Sequence, residues 1–366
     1  MAINPRSRLS SALFHIEAII QRYLDSSPLL RKVIYAIAII HPILQLGFWL
    51  PLQWSHTDQR RDITVYYHAA QHVVNHQSLY QPMPWVGPDV NPEAYLYPPQ
   101  SAILLAPLGH LSFGGFSMFW YTMLVVAFWI FAWSLDRLAA RAPSVRGTLF
   151  WGLALAATPG AYEAMSEGQA DPIVWALFGL ALATRYRGVM FALMTQVKLF
   201  GMLPLAYAAW REGRTVAAPA GWTLFAGFFI GGLVFGPQAF IDWVRWSLSL
   251  PSQGHFDEYN ISLSFLALRI ARATGVWHYP GGPLAPLPHL YLQAALAAAI
   301  IASFWFTRRM PSPQNYIVVL LTVLIFSPTC WYTYVPLAYT LVAVSLARNG
   351  ATGGASNDTA GRGERT

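Results

Sequence analysis

The chain has 366 residues, of which 55% are hydrophobic and only 11% charged, and its mean hydropathy is +0.39. Because soluble domains carry about 25% charged residues, this composition excludes an ordinary soluble protein and predicts an all-α polytopic membrane protein. The net charge of +7 does not indicate nucleic-acid binding, since the basic residues stand in short clusters between apolar runs. The single cysteine, Cys330, excludes an intrachain disulfide and a cysteine-cluster metal site.

Taken in chain order, the apolar runs fall into two classes, because a helix needs about 20 apolar residues to cross a bilayer. The runs long enough to span are 33–52, 116–135, 148–166, 217–236 and 289–307. The shorter runs, several of them bounded by proline, are 98–111, 171–184, 188–198, 199–210, 315–327 and 331–347. The sequence therefore predicts a bundle of about 8–11 spanning or half-spanning helices, with further helices lying along the outer membrane surface.

Arginine clusters between these runs predict the direction in which each run crosses. The positive-inside rule places the clusters in the cytoplasm, together with the basic first 32 residues. The clustered residues are Arg137, Arg141, Arg146, Arg185, Arg187, Arg211, Arg214, Arg308, Arg309 and Arg348. The rule is satisfied only if 98–111 does not cross fully and if 188–210 and 315–347 enter and return as broken hairpins. Such breaks predict a substrate site within the membrane domain, whereas a path in which every run spans would place some clusters outside.

These directions predict one transmembrane domain, residues 33–347, with outer loops at 53–97 and 237–287. Residues 1–32 are expected to form a cytoplasmic segment, and the Gly/Ser/Thr-rich tail 348–366 is expected to be disordered in the cytoplasm. Since no soluble segment is long enough to fold alone, a functional site must be built from loops and helix ends.

Acidic residues are scarce, and Asp62 opens the stretch 62–70 in the first outer loop. Apolar and aromatic residues repeat there at helical spacing, which predicts an amphipathic helix on the outer surface. Asp62 is then either a helix N-cap or a general base whose pKa is raised by burial beside a lipid-facing cavity. Asp58, four residues earlier, competes for the same role.

Two tyrosines of this loop, Tyr66 and Tyr97, are candidate substrate-binding residues. Tyr97 belongs to the stretch 95–99, Tyr-Leu-Tyr-Pro-Pro, whose prolines suit the start of a helix. The tyrosines of that stretch are either interfacial anchors or a stacking face for a sugar ring.

A polar link, residues 163–172, joins two apolar runs and holds three carboxylates and a glutamine. It is either a plain connecting loop or the lining of a cavity at membrane depth, where polar groups are functional candidates. The second interpretation makes Glu167 and Gln169 candidate substrate-binding residues.

Lys198 interrupts the apolar run 189–209 where the first hairpin is expected to turn. A lysine in the membrane costs roughly 2.5–3.5 kcal/mol on insertion scales unless an anion pairs with it. A lipid phosphate is an attractive partner, and snorkelling of the ammonium to water is the alternative.

Three further residues complete the candidate substrate-binding set. Asn260 and Ser262 are suited to cap the helix that follows them. Trp331 stands at the tip of the last hairpin, where its ring is placed to stack on a ligand.

Three histidines, His68, His72 and His76, would share one face of the first outer helix. That spacing can bind a metal ion. No nearby carboxylate completes a persuasive site, so we predict no metal and no other cofactor.

The ordered motifs resemble glycosyltransferase family 87, the polytopic transferases of the GT-C superfamily. The resemblance rests on residues 62–70 with 78–80, residues 95–99 with Pro107-Leu108, Gly168-Gln169, Lys198, residues 260–262, and Ser327-Pro328 with Trp331. Each motif is short, but their order extends over roughly residues 55–345.

The resemblance implies a GT-C-like fold and a polyprenyl-phosphate sugar, mannose-like or arabinose-like, as the donor. It implies a lipid or glycan acceptor, inversion at the anomeric carbon, and Asp62 as the general base. It also implies a multi-pass protein of the bacterial cytoplasmic membrane with its active site facing outward. Lys198 is then the candidate to stabilise the leaving phosphate, and Gln169, Asn260 and Trp331 to shape the sugar pocket.

The sequence departs from the family pattern at one point and leaves other functions open. After Ser-Pro-x-x-Trp the family often carries two histidines, where this chain has Thr333 and Tyr334. Any role of those histidines does not transfer, so the sugar and the acceptor class stay open. A transporter or flippase of lipid-linked sugars is the main alternative, since broken helices with polar groups also describe transporters. A non-catalytic subunit of an envelope-assembly complex is another.

Overall fold

A computed structural model describes residues 62–80, 95–140, 142–249, 260–278 and 284–355. Within these residues the regular structure is helical and no strand occurs, which confirms the all-α prediction. The helices are α1 Asp62–Val74, α2 Pro99–Ile103, α3 Phe113–Ala139, α4 Val145–Ala156, α5 Pro159–Ser166, α6 Asp171–Ala183, α7 Arg187–Val197, α8 Met202–Glu212, α9 Arg214–Ser249, α10 Leu263–Ala273, α11 Pro286–Thr307, α12 Gln314–Phe326 and α13 Tyr339–Ala355. Short 3-10 turns lie at Ala106–Leu108, Leu199–Gly201 and Tyr332–Ala338. The predicted span 33–52 and Asp58 lie outside the described residues.

Three of the described helices are long and apolar enough to cross a membrane: Phe113–Ala139, Arg214–Arg245 and Pro286–Thr307. They contain the predicted spans 116–135, 217–236 and 289–307. The protein is therefore an all-α polytopic membrane protein, as predicted. Exposed apolar side chains on α9 and α11 are what such helices require, because their outer faces contact lipid.

The prediction of one continuous span over 148–166 is wrong, because α4 ends at Ala156 and α5 begins at Pro159. Proline has no N–H and is favoured in the first turn of a helix, so it starts a new helix here. The Thr158 hydroxyl caps that helix by accepting a hydrogen bond from the backbone N–H of Ala161. At Gly160 a Cβ atom would lie 2.3 Å from the Tyr332 carbonyl oxygen, so this close packing on the last 3-10 turn requires glycine.

The predicted hairpin over 188–210 is present as α7 and α8. Its open end is closed by an ion pair between Arg187 and Glu212. Lys198 stands at the turn, in extended backbone between α7 and the 3-10 turn that leads into α8. The lysine thus lies at one end of the bundle and the arginine at the other.

Contacts among the helix ends show that several arginines gather at one end of the bundle. Arg137 donates to the Ala183 carbonyl at 3.0 Å, and Arg187 donates to the Ala181 carbonyl at 3.3 Å. Arg211 donates to the carbonyl of Arg308. We call this the arginine end. For Arg137, Arg187, Arg211 and Arg308 the contacts therefore support the prediction that the clusters share one side.

The second predicted hairpin, over 315–347, is formed by α12 and α13. Between them lie a turn at residues 327–331 and the 3-10 turn Tyr332–Ala338. Helix α13 runs to Ala355 and so includes the first part of the tail that was expected to be disordered. Residues 356–366 lie outside the described residues.

The buried side chains form two neighbouring cores that share α3. The larger core includes Phe131 from the C-terminal half of α3 and Trp175 from α6. The smaller core includes Phe116 and Trp120 from the N-terminal half of α3, against Ile63 of α1. Because α3 belongs to both cores, it fixes α1 over the link between α5 and α6.

Candidate active site

The start of α1 is held against the link between α5 and α6. The backbone N–H of Ile63 donates to the Glu167 carbonyl at 3.1 Å. Gly168 has a φ of +68°, and a Cβ atom there would lie 2.9 Å from the Cβ of Ile63. This left-handed turn therefore needs glycine. It places the partly buried Asp62 next to the side chain of Gln169, which hydrogen-bonds to the carboxylate.

The side chains of Tyr66 and Trp120 also hydrogen-bond to the backbone of the link between α5 and α6. The Tyr66 hydroxyl accepts a hydrogen bond from the Ala170 N–H at 3.1 Å and donates to the Tyr97 hydroxyl at 2.5 Å. The indole N–H of Trp120 donates to the Gly168 carbonyl at 2.7 Å. Since the Tyr66 hydroxyl is engaged on both sides, the structure gives Tyr66 a positioning role. Its predicted contact with substrate stays a prediction.

A buried ion pair lies beside Asp62. Lys198 at the turn of the α7–α8 hairpin pairs with Asp171, the completely buried first residue of α6. The other oxygen of Asp171 accepts a hydrogen bond from the Thr333 hydroxyl at 2.7 Å. A carboxylate is favourable at this position, because the N-terminus of a helix carries partial positive charge.

Aromatic rings complete the surroundings of Lys198. Its ammonium lies 5.1 Å from the ring centre of Tyr334 and 5.9 Å from that of Tyr97, distances that allow cation–π attraction. The ammonium is also 3.4 Å from the Tyr334 hydroxyl. Thus Thr333 and Tyr334, which replace the histidine pair of the family pattern, both contact the ion pair.

The surroundings of Asp62 raise the pKa of its carboxyl group to about 6. Burial is the largest cause, because it penalises the charged form. Nearby Asp171 and Glu163 raise the pKa further, whereas Lys198 and the hydrogen bond from Gln169 lower it. We call these five residues the Asp62 cluster. A carboxyl group with this pKa is mostly ionised at neutral pH yet is a stronger base than an ordinary aspartate.

The anion that pairs with Lys198 is the part of the site that the sequence analysis missed. A lipid phosphate was the predicted partner, whereas in the structure the ammonium pairs with Asp171. The two residues lie 27 positions apart, and no local pattern joins them. The available signal was indirect, because both are isolated charges at the ends of apolar helices and such charges in membranes pair with one another.

Asn260 and Ser262 lie just before α10, and Asn260 hydrogen-bonds to the turn of the second hairpin. The completely buried Asn260 side chain donates to the Pro328 carbonyl at 2.9 Å and accepts from the Cys330 N–H at 3.0 Å. The Ser262 hydroxyl accepts from the Phe265 N–H, so Ser262 is the N-cap of α10, as predicted. Asn260 is not the N-cap. Its side chain accepts a hydrogen bond from the Ser262 N–H and so connects the cap residue to the hairpin turn.

Trp331 forms an isolated antiparallel bridge with Asn260 and packs against the larger core. This bridge sets the direction of the chain into the 3-10 turn that carries Thr333 and Tyr334 towards the ion pair. Asn260 and Trp331 therefore hold the turn that precedes Thr333 and Tyr334, and their direct contact with a sugar stays a prediction.

The model of glycosyltransferase family 87 matches residues 95–328, which is more than half of the chain. The chain belongs to glycosyltransferase family 87. It is therefore a membrane glycosyltransferase. Searches of curated proteins and of solved structures found no match.

The family 87 match covers Tyr97, Gln169 and Lys198, together with Glu167, Asn260 and Ser262. Asp62, Tyr66 and Trp331 lie outside it. Their assignment therefore depends on geometry, and for Asp62 the carboxyl interacts with the other four residues of the Asp62 cluster, all of which lie in the matched region. In this family 87 member, the described residues contain no group of three His, Cys, Asp or Glu side chains that could hold a metal ion. The metal-independent reaction stays a prediction.

Proposed function

We propose that this glycosyltransferase transfers a mannose-like or arabinose-like sugar from a polyprenyl-phosphate donor to a hydroxyl of a lipid or glycan acceptor, with inversion and with Asp62 as the general base. The observation that carries this proposal is the position of Asp62. Its carboxyl group, with a pKa raised to about 6, lies in one cluster with the only lysine of the α7–α8 hairpin.

The chemistry follows from these two groups. The Asp62 carboxylate takes the proton of the acceptor hydroxyl as its oxygen attacks the anomeric carbon. The bond between the anomeric carbon and the phosphate oxygen breaks, and the electron pair leaves with the polyprenyl phosphate. Attack from the side opposite the leaving group inverts the configuration of the sugar.

Lys198 is suited to stabilise the phosphate as it gains negative charge. Its ammonium has three N–H donors. One donates to Asp171 and another makes the longer contact with the Tyr334 hydroxyl, so donor capacity is left for a phosphate oxygen. In this interpretation Asp171 and Thr333 are positioning residues, because they hold the lysine at the turn of the hairpin.

The arginine end supports an outward-facing site. The positive-inside rule places that end in the cytoplasm. Lys198 and Arg187 lie at opposite ends of α7, so the Asp62 cluster would face the exterior of a bacterial cytoplasmic membrane. A donor carried by a membrane lipid fits this location, because its phosphate sits at the membrane surface.

The test uses the purified full-length protein in detergent with synthetic polyprenyl-phosphate mannose or polyprenyl-phosphate arabinose and a panel of glycan acceptors. We expect release of polyprenyl phosphate with one of the donors. Asp62→Asn should abolish this release while the protein still elutes as a folded species. Asp58→Asn is the matched control, and it should retain activity.

Two outcomes would overturn the assignment. Full activity of Asp62→Asn would exclude Asp62 as the base, and loss of activity in Asp58→Asn alone would move that role to Asp58. Movement of lipid-linked sugar across vesicles without release of polyprenyl phosphate would instead identify a flippase.

A further inference from the structure

A cavity of about 280 Å³ lies beyond the far end of α1, between that end and helix α9. Its polar lining residues are His72, His76, Gln77, Ser78, Gln238 and Asp242. Phe235 adds an aromatic ring. The catalytic steps proposed above use none of these side chains.

Two turns of the backbone build the cavity. At the end of α1, His76 has a φ of +55°, and the Gln77 N–H donates back to the His72 carbonyl at 2.8 Å. This is a helix C-terminal motif with a left-handed residue. It reverses the chain so that Gln77 and Ser78 border the same space as His72.

The second turn is a kink in α9, where Gly236 has a φ of +72° and Pro237 follows. Proline cannot donate to the carbonyl four residues earlier, so the helix changes direction at this point. Phe235, which precedes the kink, and Gln238, which follows it, both line the cavity. The Gln238 side chain donates to Asp242 at 2.8 Å, which orients the amide and the carboxylate together.

The chemistry of the lining suits a neutral ligand with many hydroxyl groups. It offers two amides, two imidazoles, a hydroxyl and one carboxylate, and no lysine or arginine is among the described lining residues. Burial lowers the pKa of His72, so its ring is neutral at pH 7 and supplies one donor and one acceptor. The Asp242 carboxylate is paired with Arg245, whose guanidinium lies 3.7 Å away, so its charge is balanced without a charged ligand.

The cavity also lies in line with Asp62. Val73, which borders it, follows Asp62 by eleven residues, or about three helical turns, and so lies on the same side of α1. At 1.5 Å per residue the separation along the helix is roughly 16 Å. That distance is longer than one sugar ring and suits a short chain of sugars.

We propose that this cavity binds the glycan portion of the acceptor, several sugars away from the hydroxyl that Asp62 deprotonates. The inference rests on the proposed function, because it takes the acceptor to be a glycan. It adds that the enzyme recognises an acceptor chain of several sugars, with the amides of Gln77 and Gln238 and the ring of His72 binding its hydroxyl groups.

The experiment measures binding separately from transfer. The purified full-length protein is titrated with methyl α-mannoside and with methyl oligomannosides of increasing length, and a second series uses the corresponding arabinosides. We expect the affinity of the wild type to increase with chain length in one series. Gln238→Ala and His72→Ala should weaken binding of the longest member by about fivefold to tenfold and leave the methyl monosaccharide unaffected.

Asn75→Ala is the matched control, because Asn75 is exposed at the same end of α1 but does not line the cavity. It should bind every member as the wild type does. Affinities that do not depend on chain length, or cavity variants that bind all members normally, would overturn the inference.

Asp62→Asn separates this inference from the proposed function. It should lose transfer but keep the length-dependent affinity. If it retains transfer, the assignment of the base is wrong, and the binding measurements still decide the role of the cavity. If the cavity variants weaken binding of polyprenyl phosphate rather than of glycans, the cavity belongs to the donor and the inference fails.

Discussion

Lys198 and Asp171 form a buried ion pair that joins the turn of the α7–α8 hairpin to the first residue of α6. Asp171 is completely buried, and its second oxygen binds the hydroxyl of Thr333. The pair thus connects three separate segments next to Asp62. It also supplies the anion that an isolated lysine in an apolar hairpin requires.

Removing one partner of this pair should destabilise the protein strongly. Lys198→Ala leaves the Asp171 carboxylate buried without its counter-charge, which costs about 3–5 kcal/mol. The double variant Lys198→Met with Asp171→Leu should recover much of that loss, because no unpaired charge is then buried. Denaturant unfolding in detergent, followed by tryptophan fluorescence, measures both. Equal unfolding midpoints for the single variant and the wild type would contradict this prediction.

The rate of transfer should depend on pH through Asp62. Its pKa is raised to about 6, so the active carboxylate form is lost below that pH. We expect kcat/KM to fall about tenfold per pH unit well below pH 6 and to be level above it. The measurement is release of polyprenyl phosphate across a buffer series. A rate that stays constant down to about pH 4, the region of an ordinary aspartate, would disprove this role.

The same shift makes a prediction about stability. Because the pKa of Asp62 is higher in the folded protein than its ordinary value of 3.8, the folded state binds this proton more tightly than the unfolded state does. The contribution of Asp62 to stability is therefore present at low pH and is lost as the pH rises through about 6. Asp62→Asn removes this dependence, so its unfolding midpoint should decline less than that of the wild type between pH 4 and pH 8. An unchanged difference between the two proteins at both pH values would contradict it.

Two neighbours of Asp62 should shift the pH profile in opposite directions. The hydrogen bond from Gln169 lowers the pKa of Asp62, so Gln169→Ala should move the profile to higher pH. The negative charge of Glu163 raises that pKa, so Glu163→Gln should move the profile to lower pH. Each variant serves as the control for the other, since a general loss of structure would not produce shifts of opposite sign.

Gly168 should be required for activity rather than only for folding. Gly168→Ala meets both a left-handed backbone, which costs a non-glycine residue about 1–2 kcal/mol, and the Cβ of Ile63 at 2.9 Å. The start of α1 must then move, and transfer should fall sharply. Gly213→Ala is a matched control, because Gly213 has a φ of +62° but no atom within 4 Å of the added Cβ. It should lose stability because of its positive φ but retain transfer, and equal transfer rates in both variants would refute the prediction.

Much of the helical structure could be predicted from local patterns. The start of α1 at Asp62, the cap at Ser262 and the hairpin around Lys198 agree with the sequence analysis, because apolar periodicity and capping residues act over a few positions. The break at Pro159 was missed. Pro159 lies within a long apolar run, which was interpreted as one span. Proline favours the first turn of a helix, and here it begins a new one.

The roles of several site residues could not be predicted in this way. Tyr66 and Asn260 were selected as substrate-binding residues, yet the structure shows their polar atoms holding backbone groups of the link and of the hairpin turn. Whether a buried polar side chain binds a ligand or the chain itself depends on which segments pack around it. That information is not present within one helix.

Composition and the lengths of the apolar runs alone determined that this protein is a helical membrane protein, since a bilayer excludes unpaired backbone groups and charges. Ordered short motifs indicated its family. Only the tertiary structure decided which anion pairs with Lys198 and which carboxyl group lies beside it. The physical reason is distance along the chain: Asp62, Asp171, Lys198 and Thr333 come from four segments that meet only when α1 packs on α3 and both hairpins turn at the same end of the bundle.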